Sequence, residues 1–396
     1  MNSKVVVIGG SGHVGLPLAI SLANKGKKVC AFDVDNQKID FIAQGKMPFM
    51  EEGAEEILRQ VLQTGHLRLS SDPSVISEAD TLIVTIGTPV DEHLNPEFEA
   101  MQKMLDSYME FFRDGQLIII RSTVYPGTTE KMKHLLKECG KNIELAFCPE
   151  RIAQGQAIRE LETLPQIISS FSEEGLRRCH ELFGLFTRDI LVLQPIEAEL
   201  AKLFTNVWRY IKFATANQFF MIANDNGADF HRIHDAMTYK YERAKDLPKS
   251  GFAAGPCLFK DAMQLAAFNN NTFYLGHAAM LTNEGLPNYI VSKLKQKHKL
   301  SEMTVGILGM AFKANIDDRR ESLSYKLKKI LIMESHRVLC SDVYIDEPGF
   351  ISAEELIEQA DIIILATPHR EYATLKLPEG KVVIDIWNMW GKGCVV

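Results

Sequence analysis

Short runs of apolar, mostly β-branched residues alternate with helical patterns in the first part of the chain. Five of these runs predict β-strands, at residues 4–8, 29–32, 81–85, 117–120 and 144–147. Each run ends in a loop of glycine, proline or polar residues. An alternation of strands and helices is typical of an open parallel sheet covered by helices.

A long helical pattern follows this part of the chain. It runs from Pro195 to about Asn226, with proline in its first turn and Gly227 at its end. At 1.5 Å per residue such a helix would span about 45 Å, which is enough to bridge two domains. Residues 227–296 continue as a mostly helical segment, and the charged stretch 293–301 is typical of a linker or a solvated helix end.

Strand patterns return near the end of the chain, at residues 304–309, 337–342, 361–365 and 381–385. Because they alternate with helical patterns, they predict a second α/β layer domain. The first loop of this domain lacks a second G-x-G-x-x-G pattern and carries Lys313 and two arginines instead. That composition suits a phosphate-bearing substrate better than a second nicotinamide cofactor.

The first predicted strand leads into a glycine-rich turn. Gly10, Gly12 and Gly15 fit the pattern G-x-G-x-x-G, and the second strand ends at Asp33. Such glycines let the backbone approach a pyrophosphate at a helix N-terminus, while the acid accepts hydrogen bonds from the adenosine ribose, which favours NAD over NADP. The alternative is a tight turn that binds no phosphate, but the complete strand, turn, helix, strand and acid favour a dinucleotide.

Three polar residues follow predicted strands at positions where a ligand would bind. Thr88, Thr123 and Glu150 lie in the loops after the third, fourth and fifth strands, and the first of these loops also contains Pro89. The carboxyl ends of parallel strands meet at one edge, so we expect these side chains to face one crevice. The alternative for each residue alone is loop capping or turn chemistry.

A glycine- and proline-containing stretch, residues 251–261, presents a cysteine. If Cys257 opens a helix, Asp261 lies one turn further on the same face, with Lys260 beside it. A helix N-terminus and a nearby cation both favour the thiolate, so the stretch predicts an activated sulfur nucleophile. The alternative is a small buried apolar cysteine. Lys202 and Asn206 lie four residues apart and therefore share a face of the long helix. They are either functional residues of the site or part of a solvated polar stripe.

Composition narrows the class of protein. A length of 396 residues allows two or three domains, and a net charge of −7 argues against a general binder of nucleic acid or anionic membranes. Seven cysteines without paired or zinc-type spacing indicate reduced thiols in a cytoplasm and no metal site. No apolar run approaches the length of a membrane span, and the strand at residues 4–8 leaves no room for a signal peptide.

Together these motifs resemble the UDP-glucose/GDP-mannose 6-dehydrogenase family over essentially the whole chain. The cysteine loop and the Phe-Lys…Arg-x-Ser loop are the most specific of them. The resemblance is carried by the glycine turn, Ser122-Thr123 with residues 126–129, Pro149-Glu150-Arg151, Lys202 with Asn206, Gly251-Phe252 with Cys257-x-x-Lys260-Asp261, the loop from Gly309 through Phe312-Lys313 to Arg320-x-Ser322, and Asp385-x-Trp387-Asn388.

The resemblance implies a fold and an activity. The fold would be two Rossmann-like parallel-sheet domains joined by a central helical segment, with boundaries at 1–194, 195–296 and 301–396 and a homodimer formed through the central segment. The activity would be oxidation of the C6 alcohol of a nucleotide sugar to a carboxylate with two NAD⁺. Acid sugars of this kind commonly enter polysaccharide biosynthesis.

The resemblance also implies roles for individual residues. Cys257 would be the nucleophile, with Lys202 and Asn206 stabilising the oxyanion at C6. Asp261 and Thr123 would position a water for proton transfer, and Glu150 would orient or activate the hydrolytic water. The implied NAD site comprises Gly10, Gly12, His13, Val14, Gly15, Asp33, Lys38, Thr88 and Thr123. The implied substrate site comprises Glu150, Arg151, Lys202, Asn206, Arg243, Gly255, Lys260, Phe312, Lys313 and Arg320, with Arg243 reaching across a dimer interface.

The sequence departs from the family pattern at three places. The glycine turn is one residue longer than usual, so it must bulge, and Gly9, Gly10 and Gly12 remain alternatives for the close approach to phosphate. Gln154 replaces a second acid found in glucose-oxidising members, and the cysteine loop reads Ala-Ala-Gly-Pro-Cys. The sugar is therefore left open among glucose, an N-acetylhexosamine and mannose.

Two other functions are compatible with parts of the pattern. A two-electron 3-hydroxyacid dehydrogenase of the 6-phosphogluconate dehydrogenase type shares an NAD domain, a helical domain and a Lys/Asn pair, but it needs neither Cys257 nor a third domain. A non-catalytic NAD-dependent sensor would use the first domain alone, and the presence of Cys257, Lys202 and Asn206 argues against it.

Overall fold

The chain divides into two units, residues 1–205 and 206–396. A computed structural model describes residues 4–88, 98–393 and 396. The division falls inside one long helix, α8 (Pro195–Asp225).

The first unit is built around a six-stranded parallel sheet. Its strand order is β3-β2-β1-β4-β5-β6, the doubly wound order in which a dinucleotide binds where the order reverses, between β1 and β4. A separate pair of parallel strands, β7 and β8, lies in the same unit. The strands and helices are β1 (Lys4–Ile8), α1 (Gly15–Asn24), β2 (Lys28–Phe32), α2 (Asn36–Ala43), α3 (Ala54–Gln63), β3 (Leu67–Ser70), β4 (Thr81–Val84), α4 (Phe98–Tyr108), β5 (Leu117–Ile120), α5 (Thr128–Glu138), β6 (Glu144–Phe147), α6 (Ala157–Thr163), β7 (Gln166–Ile168), α7 (Glu173–Phe183) and β8 (Ile190–Val192).

Alternate residues of each central strand enter opposite cores. On β1, Val5 and Val7 pack with the apolar side of α1, whereas Val6 and Ile8 pack into a second cluster with Leu82 and Val84 of β4. A strand that is buried on both faces needs an uninterrupted apolar run, because neither face is exposed to water. This burial explains why the central strands were so visible in the sequence.

The second unit combines helices with a smaller sheet. That sheet is parallel and has the order β10-β9-β11-β12. Its core joins the sheet to α11 and to the second half of α8 through residues such as Phe220, Leu286 and Val305. Beyond α8, the strands and helices are α9 (Phe230–Thr238), α10 (Leu258–Phe268), α11 (Tyr274–Lys297), β9 (Thr304–Leu308), α12 (Leu323–Glu334), β10 (Arg337–Ser341), α13 (Ala353–Gln359), β11 (Ile362–Leu365) and β12 (Val382–Ile384).

The predicted fold class is confirmed. All nine predicted strands are present, with ends within one residue of those expected, and the long helix ends one residue earlier than predicted. The division into three parts with boundaries near 194 and 296 remains a prediction. Among the described residues, no helix has the length and apolar character needed to cross a bilayer.

Candidate functional site

The glycine turn between β1 and α1 is tied to the end of β2. The N–H groups of Gly9 and Gly10 both donate to the carbonyl oxygen of Phe32, at 3.0 and 2.9 Å, and the N–H of Gly12 donates to the Gly9 carbonyl at 3.2 Å. Gly9 has a φ of +82°, which a side chain would disfavour. The additional residue is therefore absorbed by a closed turn rather than by a change in α1.

The glycines of this turn have different surroundings. A Cβ on Gly10 would lie 2.7 Å from the Cβ of Ala31, and one on Gly15 would lie 2.2 Å from the Gly9 carbonyl oxygen. Both positions are thus closed by the protein itself. A Cβ on Gly12 would meet only the Gly9 carbonyl oxygen, at 3.4 Å, which leaves space beside the N-terminus of α1. The turn therefore fits a pyrophosphate at Gly12, next to the N-cap residue Val14.

Asp33 lies at the end of β2 and is half-buried. Its Oδ2 accepts hydrogen bonds from the N–H of Ser11 at 3.0 Å and from the Ser11 hydroxyl at 2.6 Å. These bonds hold the carboxylate beside the glycine turn, where it fits the ribose of a dinucleotide. Ser11 was not singled out in the sequence, although it is a residue of the lengthened turn. Lys38 lies in the first turn of α2, exposed and 3.3 Å from Asp35.

Two departures from the family pattern contact each other. The Nδ1 atom of His13, in the glycine turn, lies 3.1 Å from the side-chain nitrogen of Gln154. The His13 ring also packs on Phe49, with ring centroids 4.0 Å apart. His13 therefore links the glycine turn to the loop that follows β6.

Thr88 and Thr123 come together where β4 and β5 end. The Thr88 hydroxyl donates to the carbonyl oxygen of Thr123 at 2.5 Å. Thr88 is buried and Thr123 is half-buried. Pro89, in the same predicted loop, lies outside the described residues.

Glu150 lies in a buried ion pair with Arg121, a residue that the sequence analysis missed. Arg121 follows the apolar strand β5 directly, and its side chain has no exposed surface. The Arg121 Nε lies 3.1 Å from the Glu150 Oε2, and Glu150 Oε1 accepts the N–H groups of Arg151 and Ile152 at 2.7 and 3.0 Å. Burial alone would raise the pKa of Glu150, but the Arg121 charge and these hydrogen bonds lower it. Glu150 is consequently ionised at neutral pH.

The remaining candidates of the first unit lie near this network or on α8. The guanidinium of Arg151 donates to the carbonyl oxygen of Pro165, and Lys202 is half-buried on α8. One turn before Lys202, the buried Glu199 accepts the N–H groups of Gly127 and Thr129 at 2.6 and 2.9 Å. Burial raises the pKa of Glu199, and these hydrogen bonds oppose the rise.

In the second unit, Cys257 is the N-cap residue of α10, which meets the condition under which Asp261 was placed on the same helix face. The N–H of Asp261 donates to the Cys257 carbonyl at 2.9 Å, so the carboxylate follows the thiol by one helical turn. Cys257 is exposed, and the alternative of a buried apolar cysteine is therefore wrong. A thiol at a helix N-terminus is in a position that favours the thiolate.

Asp261 is fully buried and only partly satisfied. Its Oδ2 accepts a hydrogen bond from the side-chain amide of Asn206 at 2.6 Å. Its Oδ1 lies 3.8 Å from the Lys260 ammonium and has no hydrogen-bond partner among the described residues. A buried carboxylate oxygen without a partner is costly unless a ligand or water supplies a donor. Asn206, Lys260 and Asp261 are therefore brought together beside Cys257.

The loop after β9 approaches the cysteine loop. The N–H of Gly255 donates to the carbonyl oxygen of Glu321 at 3.2 Å. A Cβ on Gly255, whose φ is +107°, would lie 2.6 Å from the ring of Phe312. Arg320 is exposed and pairs with Asp318, with a nitrogen-oxygen distance of 2.6 Å. The pKa of Arg320 is raised, mainly by that hydrogen bond and to a lesser degree by the nearby charge of Cys257.

The last two candidates differ in their surroundings. Lys313 is half-buried in the loop after β9. Arg243 lies on an exposed turn after α9, with its guanidinium carbon 6.0 Å from the Tyr241 ring centroid. Within the described residues, no hydrogen bond or ion pair connects Arg243 to the cysteine loop.

The second sheet has an acid at the position that corresponds to Asp33, but this acid is enclosed. Asp342 follows β10 and accepts the N–H groups of Met310 and Ala311, at 2.5 and 3.0 Å, in the turn after β9. Its Oδ2 also lies 3.1 Å from the Nε2 of His369, and neither side chain is exposed. Burial would raise the pKa of Asp342, but the His369 hydrogen bond and these amides lower it. The hydrogen bonds of this carboxylate are therefore made within the protein itself.

Family models cover most of the chain. The models of the UDP-glucose/GDP-mannose dehydrogenase family match in three parts: the NAD binding domain at residues 3–187, the central domain at 196–284 and the UDP binding domain at 306–392. Among the described residues, no group of three or more His, Cys, Asp or Glu could hold a metal ion.

Individual proteins are similar over nearly their full length. A UDP-N-acetyl-D-mannosamine dehydrogenase of Methanocaldococcus jannaschii is 30% identical, covering 98% of this chain and 92% of the relative. A UDP-D-ManNAc dehydrogenase structure from Pyrococcus horikoshii has a TM-score of 0.91 at 28% identity, covering 99% of this chain and 97% of the other. A UDP-glucose dehydrogenase structure from Pyrobaculum islandicum has a TM-score of 0.89 at 26% identity, covering 97% and 94%.

Proposed function

Because the chain belongs to the UDP-glucose/GDP-mannose dehydrogenase family and is an NAD-dependent nucleotide-sugar dehydrogenase, we propose that it oxidises the C6 alcohol of a UDP-N-acetylhexosamine to the uronic acid. UDP-N-acetylmannosamine is the proposed sugar, because the similar proteins of M. jannaschii and P. horikoshii carry that name. The observation that carries the mechanism is the exposed Cys257, one helical turn from the buried Asp261.

The reaction removes four electrons in two stages. NAD⁺, when bound, accepts one hydride at each stage, so each acid formed corresponds to two NADH. The first stage converts the alcohol into an aldehyde with release of one proton. The Cys257 thiolate then adds to the aldehyde carbon and the oxygen takes a proton, giving a thiohemiacetal. Loss of the second hydride and a proton leaves a thioester, and water cleaves it to the acid and the free thiol.

The groups beside the thiol suit these proton transfers. Asp261 Oδ1 is buried and lacks a donor, so it can hold a water or the substrate hydroxyl next to the sulfur. Asn206 fixes the other carboxylate oxygen, which leaves Oδ1 as the acceptor that meets the ligand. Lys202 and Asn206 are proposed to stabilise the oxyanion at C6, and Thr123 is proposed to position the same water.

Glu150 is proposed to orient the hydrolytic water rather than to remove its proton. Its pKa is lowered and its oxygens already accept hydrogen bonds from Arg121 and from two backbone amides. An efficient general base at neutral pH has a pKa near the operating pH, whereas the pKa of Glu150 is lowered away from it. The ion pair supports a carboxylate that stays charged and in place throughout the reaction.

The nucleotide is proposed to bind at the start of α12. Ser322 caps this helix, and its positive N-terminal end suits a diphosphate. Lys313 and Arg320 in the preceding loop add two cations, and Phe312 offers a ring for packing against sugar or base. The hydrogen bond from the N–H of Gly255 to the carbonyl oxygen of Glu321 would couple nucleotide binding at this loop to the position of the cysteine loop.

Counting NADH per sugar tests the proposal. The assay uses limiting UDP-N-acetylmannosamine with excess NAD⁺, and UDP-GlcNAc, UDP-glucose and GDP-mannose serve as matched comparisons. We expect two NADH per UDP-N-acetylmannosamine and the highest kcat/KM for this sugar. One NADH per sugar would contradict the cysteine-dependent second stage. Highest kcat/KM with UDP-glucose would overturn the sugar assignment while leaving the reaction class intact.

We further propose that the enzyme is a homodimer formed through the central helices. Trp208, Phe219 and Ile222 are exposed and lie within about 60° of one another around α8, at 100° per residue. Leu275 and Leu281 of α11 are exposed as well. An exposed apolar stripe of this size is typical of a surface that another protein covers. The cytoplasmic location remains a prediction.

Replacing Trp208 with glutamate should dissociate the dimer. A buried tryptophan at the centre of an interface is commonly worth at least about 2 kcal/mol, or roughly 30-fold in the dimer dissociation constant. Sedimentation velocity over a concentration series measures this constant. Met333→Glu is the matched control, because Met333 is an exposed apolar residue on α12 outside the stripe. An unchanged dimer in Trp208→Glu, or a monomer in the unaltered protein, would contradict the proposed interface.

A further inference from the structure

The cysteine loop is anchored at its first residue by a buried amide side chain. Asn217 lies on α8 with no exposed surface. Its Nδ2 donates to the carbonyl oxygen of Gly251 at 3.0 Å, and its Oδ1 accepts the N–H of Gly251 at 2.9 Å. Two hydrogen bonds to the same residue fix both the position and the orientation of its backbone. Residue 251 therefore has the kind of pairing that a neighbouring strand would otherwise give it.

A second buried amide sets the orientation of the first. Asn217 Nδ2 also donates to Oδ1 of Asn283 at 2.9 Å, and Asn283 Nδ2 donates to the carbonyl oxygen of Tyr210 at 3.1 Å. Asn283 is fully buried on α11. Because each amide nitrogen faces an acceptor and each amide oxygen faces a donor, neither side chain can be flipped without losing its bonds.

Gly251 is also enclosed on its other side. A Cβ on this residue, whose φ is +155°, would lie 2.3 Å from the Trp387 ring. The preceding Ser250 hydroxyl donates to the carbonyl oxygen of Ile386 at 2.9 Å. The loop is thus held at Gly251, held again at Gly255 by the Glu321 carbonyl, and enters α10 at Cys257.

We propose that Asn217, oriented by Asn283, is a positioning residue that holds the cysteine loop so that the Cys257 thiol meets the C6 aldehyde. This inference rests on the proposed cysteine mechanism. Asn217 does not touch the reacting atoms and acts through the position of the cysteine loop. Its loss therefore lowers the rate of the second oxidation, which uses the thiol, far more than the rate of the first.

Asn224 provides a matched control on the same helix. It is also a buried asparagine, and it donates to the Tyr289 hydroxyl at 2.8 Å and accepts the N–H of Val396 at 2.7 Å. Replacing it with alanine removes a comparable buried amide without affecting the anchor at Gly251. A loss of stability common to both variants is thereby separated from a loss specific to the thiol.

The experiment compares the two oxidation stages in Asn217→Ala and Asn224→Ala. Rapid mixing of excess enzyme with UDP-N-acetylmannosamine and NAD⁺ gives the rate of the first NADH, and starting from the UDP-sugar 6-aldehyde gives the rate of the second. Small displacements of a reacting group can cost about 100-fold in rate, so we expect a fall approaching that size in the second rate of Asn217→Ala only. The rate at which iodoacetamide alkylates Cys257, measured from the mass of the modified peptide, should change in the same variant.

Asn217→Asp gives an independent readout through pH. Its second carboxyl oxygen would face the acceptor oxygens of Gly251 and Asn283, and only the protonated form can donate there. Because a buried carboxyl has a raised pKa, the second-stage rate relative to the unaltered enzyme should rise as the pH falls. If Asn217 only stabilised the fold, the relative rate of the second stage alone would not depend on pH in this way.

Two measurements decide the inference. Equal ratios of the two rates in Asn217→Ala and Asn224→Ala, or a flat relative profile in Asn217→Asp, would overturn it. If Asn217→Ala does not fold, the pH profile of Asn217→Asp still decides. Failure of the underlying mechanism has a different signature: Cys257→Ser would then keep two NADH per sugar, whatever the Asn217 variants do.

Discussion

Cys257→Ser is expected to abolish formation of the sugar acid while leaving a single oxidation possible. The serine hydroxyl is a much weaker nucleophile than a thiol at neutral pH, so the aldehyde is not captured and its hydrate or free form accumulates. Removal of a catalytic nucleophile commonly lowers kcat by at least about 10³-fold, and we expect a loss of this order in acid production. Mass spectrometry of the sugar product, together with the NADH count, measures it.

The stability of this variant should be almost unchanged. Cys257 is exposed, and surface substitutions usually alter the free energy of unfolding by less than about 0.5 kcal/mol. Cys139→Ser is the matched control, because Cys139 is an exposed thiol at the end of α5. Full acid production by Cys257→Ser, or an equal loss in Cys139→Ser, would refute the assigned nucleophile.

Arg121→Met is expected to destabilise the first unit severely. The substitution leaves the Glu150 carboxylate buried without its cation, and breaking a buried ion pair from one side commonly costs about 3–5 kcal/mol. Urea unfolding followed by circular dichroism measures the change. The double variant Arg121→Met with Glu150→Gln should recover much of the loss, because no unpaired charge then remains. A single variant that unfolds like the unaltered protein would show that the pair contributes little.

The pH dependence of this loss has a defined sign. In the unaltered protein the folded pKa of Glu150 is lowered, so its stabilising contribution is present above the unfolded value of about 4.3 and is lost as the pH falls through the folded pKa. Without Arg121, burial raises that pKa, and stability is instead lost as the pH rises above about 4.3. The stability gap between the two proteins should therefore be wider at pH 8 than at pH 5.

Nine strands with continuous apolar runs were predictable, and three short strands, β3, β7 and β8, were not predicted. All of β1 except its first residue is buried, and this produces the continuous apolar run visible in the sequence. β3 (Leu67–Ser70) has one buried residue in four, and β8 (Ile190–Val192) has none. A strand at the edge of a sheet is held by backbone hydrogen bonds that any sequence can make, so its side chains leave a weaker pattern.

Local spacing predicted one part of the candidate site, and tertiary contacts supply the rest. The step from Cys257 to Asp261 follows from helix geometry alone and could be predicted before the structure was known. Arg121 meets Glu150 across 29 residues, and Asn217 meets Gly251 across 34. No periodicity connects such positions. An arginine directly after four apolar strand residues was the available signal for Arg121, since a charge there must find a buried partner.

The enclosed acid of the second sheet has a consequence for the order of events. Asp342 and His369 satisfy each other, so the acid that follows β10 is not available to an adenosine ribose. In the proposed reaction, NADH must then leave the binding site beside Asp33, and a second NAD⁺ must bind there, midway through each turnover. A half-oxidised sugar would have time to escape during that exchange. The covalent bond to the Cys257 sulfur retains the aldehyde during this exchange, so free aldehyde is not released.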